Sequence, residues 1–368
     1  MKRPPLSRRT WAFLGAVSIA GAALVVLGGC SSVGYLSQSV QGHLGVMNAA
    51  RPVADWLSDA GTPAELRERL LLSQRIRDFA VRELALPDNA SYRRYAALDR
   101  PAVVWNVVAA PELSLTLKTW CFPVVGCVGY RGYFERAGAT ALADELRAAG
   151  LEAGVYGVPA YSTLGKLPFD YFADPLLSTF IRYPEGELAR LIFHELAHQV
   201  SYAKNDTEFN ESFATAVERL GGARWLQEQA DEAARDEYRR YDARRHDFKA
   251  LALATRKQLE AVYESAASDA EKRRAKADVM ARMRAEHQRL KDGPWEGYRG
   301  YDAWFANANN ASLGVQAAYN ALVPAFEALF EVEGRDFPRF YAEVERLAAL
   351  PKEERRATLA ALDPAPPS

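Results

Sequence analysis

Two histidines one helical turn apart constrain this chain more than any other feature. His194-Glu195-Leu196-Ala197-His198 lies within Glu185 to Tyr202, where Leu188, Leu191, Ile192 and Leu196 recur at helical spacing. On a helix, residues i and i+4 share one face. His194 and His198 then point together and can grip one metal ion through imidazole nitrogens. Zinc suits a donor pair of this borderline type, although the spacing alone admits other divalent ions. Glu195 is rotated away from both histidines. It reaches a water beside the ion rather than the ion itself, where a carboxylate can take a proton. Histidine is scarce here, with five in the chain, and two of the five form this motif.

A catalytic metal of this kind needs a third protein ligand and a position left for water. The segment Asn210-Glu211-Ser212-Phe213-Ala214 falls on the next helical stretch, Thr207 to Leu220, capped by Asp206 or Thr207. Two helices joined by a short turn can set Glu211 opposite the histidine face. Glu208, one turn earlier, is its main rival. Glu218, two turns later, reads as a partner of a ligand or as a solvated helix charge, and His246 is a distant alternative.

Around this motif the pattern is α+β. Residues 33–86 are mostly helical, with Thr62 as N-cap, Pro63 in the first turn and Glu65 at the capping-box position. Val103–Val108, Leu113–Trp120 and Gly126–Phe134 read as strands, followed by a helix over 139–149 and a strand over 153–158. The C-terminal half is mainly helical. Residues 225–292 are proline-free and charged, and predict a helical hairpin projecting into solvent. An aromatic loop follows over 293–310. A helix over 311–330 is interrupted at Pro324, another spans 337–350, and 356–368 is expected to be a disordered tail.

The N terminus carries a different signal. Lys2, Arg3, Arg8 and Arg9 precede an uncharged apolar stretch, Trp11–Val26, too short for an ordinary spanning helix. It ends in Leu27-Gly28-Gly29-Cys30, which resembles the lipobox of bacterial lipoproteins, with Gly28 where that family prefers Ala, Ser or Thr. The resemblance implies a signal peptide over 1–29 and a lipid on Cys30. It also implies anchoring at the outer membrane facing the periplasm, because Ser31 rather than Asp follows the cysteine. A lipidated Cys30 leaves Cys121 and Cys127 as an even pair in an oxidising compartment, so a disulfide between them is expected. The chain carries a net charge of −1, which offers no basic field for nucleic acid or a polybasic membrane contact.

The histidine motif with Asn210-Glu211-Ser212-Phe213-Ala214 resembles the gluzincin metallopeptidases, whose third ligand is a glutamate in an Asn-Glu-x-x-Ala setting. Residues 33–355 are similar to the predicted zinc aminopeptidase family of proteobacterial lipoproteins. The matching segments include Val104-Trp105-Asn106-Val107, Thr119-Trp120-Cys121-Phe122-Pro123, Gly129-Tyr130-Arg131-Gly132-Tyr133-Phe134 and Asp174-Pro175-Leu176-Leu177-Ser178-Thr179. Lys166-Leu167-Pro168 depart from the Trp-Phe-Asp expected after Gly165. The resemblance implies a zincin-like domain over 30–355, with a small mixed sheet on the motif helix. It implies Zn2+ on His194, His198 and Glu211, with Glu195 as the base and a peptide or protein substrate. Gluzincins often add a tyrosine that donates to the oxyanion. Tyr319 is the first candidate, with Tyr130 and Arg131 as alternatives. Zincins commonly lay substrate along an edge strand, for which Val128–Phe134 is the candidate; Gly129 and Gly132 would permit close approach.

Overall fold

A computed structural model describes residues 34–35, 37–122, 126–162, 170–318 and 322–362. Cys30, Tyr319 and Lys166-Leu167-Pro168 lie outside the described residues. The chain divides into two compact units, Met1–Val46 and Met47–Ser368. In the first, residues 37–46 are helical (α1). Among the described residues, no helix is long and apolar enough to cross a membrane.

The second unit is α+β and mostly helical, with three small sheets rather than one mixed sheet. The first sheet joins β1 (Ala50–Pro52), β2 (Arg94–Ala96) and β8 (Leu176–Leu177), with β1 antiparallel and β8 parallel to β2. Between β1 and β2 come α2 (Val53–Ser58) and α3 (Ala64–Arg82). The capping box expected at Thr62 does not form. Thr62 donates its hydroxyl to Trp56 O at 2.7 Å, and Pro63 takes the N-cap position without a side-chain bond.

The second sheet has the order β6-β3-β7, all antiparallel, from β3 (Val104–Pro111), β6 (Arg131–Tyr133) and β7 (Leu151–Val158). Alternation along β3 gives it two buried faces. Val107 and Ala109 pack with Ala139, Ala143 and Leu146 of α4 (Arg136–Ala148). Val108 and Ala110 face the other way, against Ala311 and beside Tyr130 and Tyr156. β4 (Trp120–Phe122) and β5 (Gly126–Val128) form a separate hairpin in which Cys121 and Cys127 are opposed and bonded, as expected.

Residues 113–119 are irregular, not a strand. α10 (Asn310–Ala318) lies so close that a Cβ on Gly314 would sit 2.8 Å from Leu115 O and 2.9 Å from Leu117 Cδ2. The Leu117 side chain packs there, while Leu115 turns its side chain into the core with Phe248 and Met283, so neither lies on a sheet face.

The motif helix is α5 (Glu185–Val200), and its neighbours are helices: α3, α6 (Thr207–Glu228) and α7 (Glu232–Glu264). The sheet expected against it packs instead on α4 and α10. α6 runs eight residues past the expected end at Leu220, through Gly221 and Gly222. A Cβ on Gly222 would meet Arg190 Cγ at 2.7 Å, so glycine here serves close helix packing instead of termination.

The charged hairpin is α7 with α8 (Asp269–Asp292), and Ser268 and Glu271 form a capping box at the start of α8. It does not project into solvent. Phe248, Leu259, Met280 and Met283 pack with Leu115, Trp295, Phe305 and Leu313 in one core. Arg273 reaches Glu112, just past β3, at 3.0 Å, and Lys276 pairs with Glu152 of β7. After α9 (Asp302–Asn307) and α10, Pro324 lies in the first turn of α11 (Val323–Val332), so it opens a helix rather than interrupting one. α12 (Phe337–Ala349) and α13 (Lys352–Ala360) close the fold. Residues 356–360, expected in the tail, are helical, and Arg355 beside them is buried.

Candidate metal centre

α5 is held by burial of Leu188, Ile192, Phe193, Leu196 and Ala197, which turns His194 and His198 toward α6. Their rings lie 4.9 Å apart, nearly perpendicular. The turn that follows decides where α6 begins. Asn210 clamps it, accepting from Ala203 N at 2.7 Å and donating to Ala203 O at 2.8 Å. Asp206 caps α6 by accepting from Phe209 N. Asn205 in the same turn accepts from Cys127 N at 2.9 Å, tying the disulfide hairpin to it. Gly126, at φ +80°, leaves room for that amide: a Cβ there would lie 2.0 Å from Asn205 Oδ1.

This arrangement brings Glu211 to the histidines. Its Oε2 is 3.4 Å from His194 Nε2 and 3.7 Å from His198 Nε2. Among the described residues, His194, His198 and Glu211 form the one group of three ligand types within ligating reach of each other. The spacing is long for a hydrogen bond, which prefers about 2.9 Å. It is close to the edge of a tetrahedron whose bonds are about 2.0–2.2 Å, about 3.3–3.6 Å, with the His198 contact slightly longer. The donor set therefore fits a small divalent ion. The rivals go elsewhere. Glu208 pairs with Arg356 at 2.7 Å, and His246 is exposed on α7.

Glu218 partners a candidate ligand. Its Oε2 lies 3.0 Å from His194 Nδ1, and its other oxygen bonds Arg190. A carboxylate accepts, so His194 Nδ1 carries a proton toward Glu218, and Nε2 is the nitrogen that would meet a metal. His198 lacks this support: its buried Nδ1 has no hydrogen-bond partner among the described residues.

The electrostatics follow the geometry. Burial pushes Glu211 up, but the two imidazoles outweigh it and hold the carboxyl down at about 2. Glu218 is likewise held below the carboxylate range, because Arg190 and His194 overcome its burial. The two carboxylates overcome burial at His194 and raise its pKa well above the ordinary value. Glu195 moves the other way. Burial raises it, and the neighbouring imidazoles only partly offset that.

Three buried tyrosines feel the charge of the cluster's carboxylates. Burial first, then Glu211, keeps the Tyr130 hydroxyl protonated and able to donate. Tyr156 is pushed up to about 12 by burial, against a hydrogen bond with Asn106, with Glu211 adding to the rise. Tyr92 is buried at φ +63° with no partner for its hydroxyl among the described residues, and Glu195 is the charge that weighs most on it. Of the two alternatives to Tyr319, Tyr130 packs with Val108, Ala110 and Ala311 and feels the charge of Glu211, whereas Arg131 lies over the Tyr133 ring. Gly132 and Gly129 make room for Val104 with Asn106 and for Leu117, so their missing side chains serve internal packing. Sequence reasoning missed Arg190, and it found Asn210 only as part of a motif, without its clamp on Ala203. The available signal was a charged residue on the apolar side of α5, one turn before His194.

The family model described as "Putative aminopeptidase" matches residues 34–359. The chain belongs to this family. No curated protein and no solved structure matches it. The matched span of this aminopeptidase family contains His194, Glu195, His198, Glu211, Glu218 and Arg190, so the whole cluster lies within the family's common extent.

Proposed function

We propose that the protein is a zinc-dependent aminopeptidase of the cell envelope, built on a zincin-like domain and tethered by a lipid on Cys30. The observation that carries the reading is that two consecutive helices bring His194, His198 and Glu211 together, with ligand atoms all within 4.8 Å of one another. Membership of an aminopeptidase family supports the reaction class. The disulfide supports an oxidising compartment, and the Leu27-Gly28-Gly29-Cys30 run supports the anchor.

Two imidazoles and one carboxylate are a zinc-type donor set that leaves a position open. When bound, the ion supplies Lewis acidity and lowers the pKa of a water toward about 7. Glu195, beside the ligands but not one of them, accepts the proton as water oxygen bonds to the peptide carbonyl carbon. It returns that proton to the nitrogen as the carbon–nitrogen bond breaks. Its raised pKa suits both halves of that transfer. The Tyr130 hydroxyl donates to the carbonyl oxygen as charge grows there. β6, at one end of its sheet order, provides backbone for an extended peptide.

The test uses zinc-loaded mature protein and matched peptides with free or acetylated N-termini. The free peptide is cleaved one residue at a time and the acetylated one is left intact. Glu195→Gln retains one zinc per chain and loses about 10²–10⁴-fold in kcat. Equal cleavage of the acetylated peptide makes the protein an endopeptidase. Zinc bound without any cleavage makes it a non-catalytic lipoprotein that uses the metal for stability.

A further inference from the structure

A chain of polar contacts, buried at Arg190, leads from the ligand His194 out to the helical hairpin. His194 Nδ1 donates to Glu218 at 3.0 Å, and the other Glu218 oxygen accepts from Arg190. Arg190 is 4% exposed and comes from α5 itself, one turn before His194. It donates to Tyr238 Oη at 2.8 Å and to Asp242 Oδ1 at 3.4 Å, both on α7. Asp242 accepts in turn from Arg245 at 2.6 Å, and Arg245 returns to α5 by bonding Glu187 at 2.6 Å.

The packing is shaped to allow this. A Cβ on Gly186 would strike Tyr238 Cδ2 at 2.6 Å, and one on Gly222 would strike Arg190 Cγ at 2.7 Å. Two glycines on two helices thus make room for the hairpin tyrosine and for the arginine it orients.

We propose that Tyr238 and Asp242 are positioning residues for the metal ligand His194, acting through Arg190 and Glu218. A guanidinium is planar, and its hydrogen bonds leave in fixed directions. Arg190 has one edge on Glu218 and another on the hairpin. The hairpin side therefore sets the plane of the guanidinium, and that plane sets the Glu218 carboxylate that fixes the His194 ring and tautomer. A partner of this kind, once removed from a ligand, commonly costs 10–100-fold in metal affinity. His198 has no such support, so the burden falls on the His194 side. The charged hairpin is then part of the metal centre rather than an appendage.

The inference rests on the metal reading above, and the test separates the two. The full mature protein, its Tyr238→Phe/Asp242→Asn variant, Glu218→Gln and the triple variant are each titrated with zinc against a chelator. Each metal-free form is also melted. Tyr238→Phe removes one oxygen and Asp242→Asn keeps its side-chain shape, so the double variant is far milder than cutting Arg190. The expected result is a zinc affinity about 10-fold weaker, a lower kcat and an unchanged KM. In the Glu218→Gln background the same pair adds less than 2-fold, because the path is already cut. Affinity within 2-fold of the parent, with only a lower melting temperature, makes the contacts mere glue and overturns the inference. A full independent loss in the Glu218→Gln background overturns the path. A parent protein that takes up no zinc overturns the metal reading and the inference with it.

Discussion

Replacing Asp206 by asparagine should loosen both the fold and the metal centre, and the size of the effect follows from the contacts. Asp206 is 2% exposed and caps α6, five residues before Glu211. Asparagine caps a helix about as well as aspartate, so the cap itself survives. The charge does not. Arg355, 4% exposed, donates to Asp206 Oδ2 at 2.6 Å, and Arg356 bonds the other oxygen. Arg355 also donates to Leu347 O, Ala348 O and Leu350 O, which keep its guanidinium from swinging out to water. Removing one partner of such a buried pair costs about 3–5 kcal/mol, against a total stability of about 5–15 kcal/mol. For a domain of this size that lowers the melting temperature by about 4–8 °C. Zinc binding weakens as well, because Glu211 rides on the helix whose start has lost its anchor. The assay is a melting curve of metal-free protein followed by chelator competition. Adding Arg355→Met should recover most of the loss, since the orphaned charge is gone. A drop below 1 °C for Asp206→Asn would refute the claim that this pair holds the start of α6.

Three further outcomes follow. Tyr130→Phe should reduce kcat about 10²–10³-fold with KM and zinc content unchanged, read from steady-state kinetics and metal analysis; a change in KM alone removes the assigned donor role. Zinc binding near pH 7 should release about one proton, because His194 is protonated in the metal-free protein and must lose that proton to ligate. Calorimetry in two buffers of different ionisation heat measures it, and equal heats contradict it. In the metal-free protein Glu211 and Glu218 sit below their unfolded values, so their contribution to stability is complete above about pH 4.5 and fades as the pH falls toward 2. Glu211→Gln should flatten that acid-side loss in a series of melting curves.

Much of the site was legible in the chain because its logic is local. The i, i+4 spacing of His194 and His198 is fixed by helix geometry once Leu188, Ile192 and Leu196 are buried. Glu195 follows by adjacency. The pairing of Cys121 with Cys127 follows from counting cysteines. The choice among Glu208, Glu211 and Glu218 was different in kind. Glu208 is taken by Arg356 and Glu218 by Arg190, and these competitors become neighbours only when distant helices pack.

The hairpin makes the same point at larger scale. Its density of charge reads as a solvated surface. Yet Arg245, Arg273 and Lys276 are matched by Glu187, Glu112 and Glu152, which come from much earlier in the chain. Alternation over 113–120 likewise marked apolar side chains correctly but not their partner, which is a helix rather than a strand. Periodicity records which face of a segment avoids water. It carries no information about what that face meets, because the meeting is set by turns such as 201–206 and by charges paired across the fold. The sequence by itself therefore determined the histidine pair, the glutamate between them and the cysteine bridge. Tertiary packing alone decided which carboxylate completes the centre and what holds it in place.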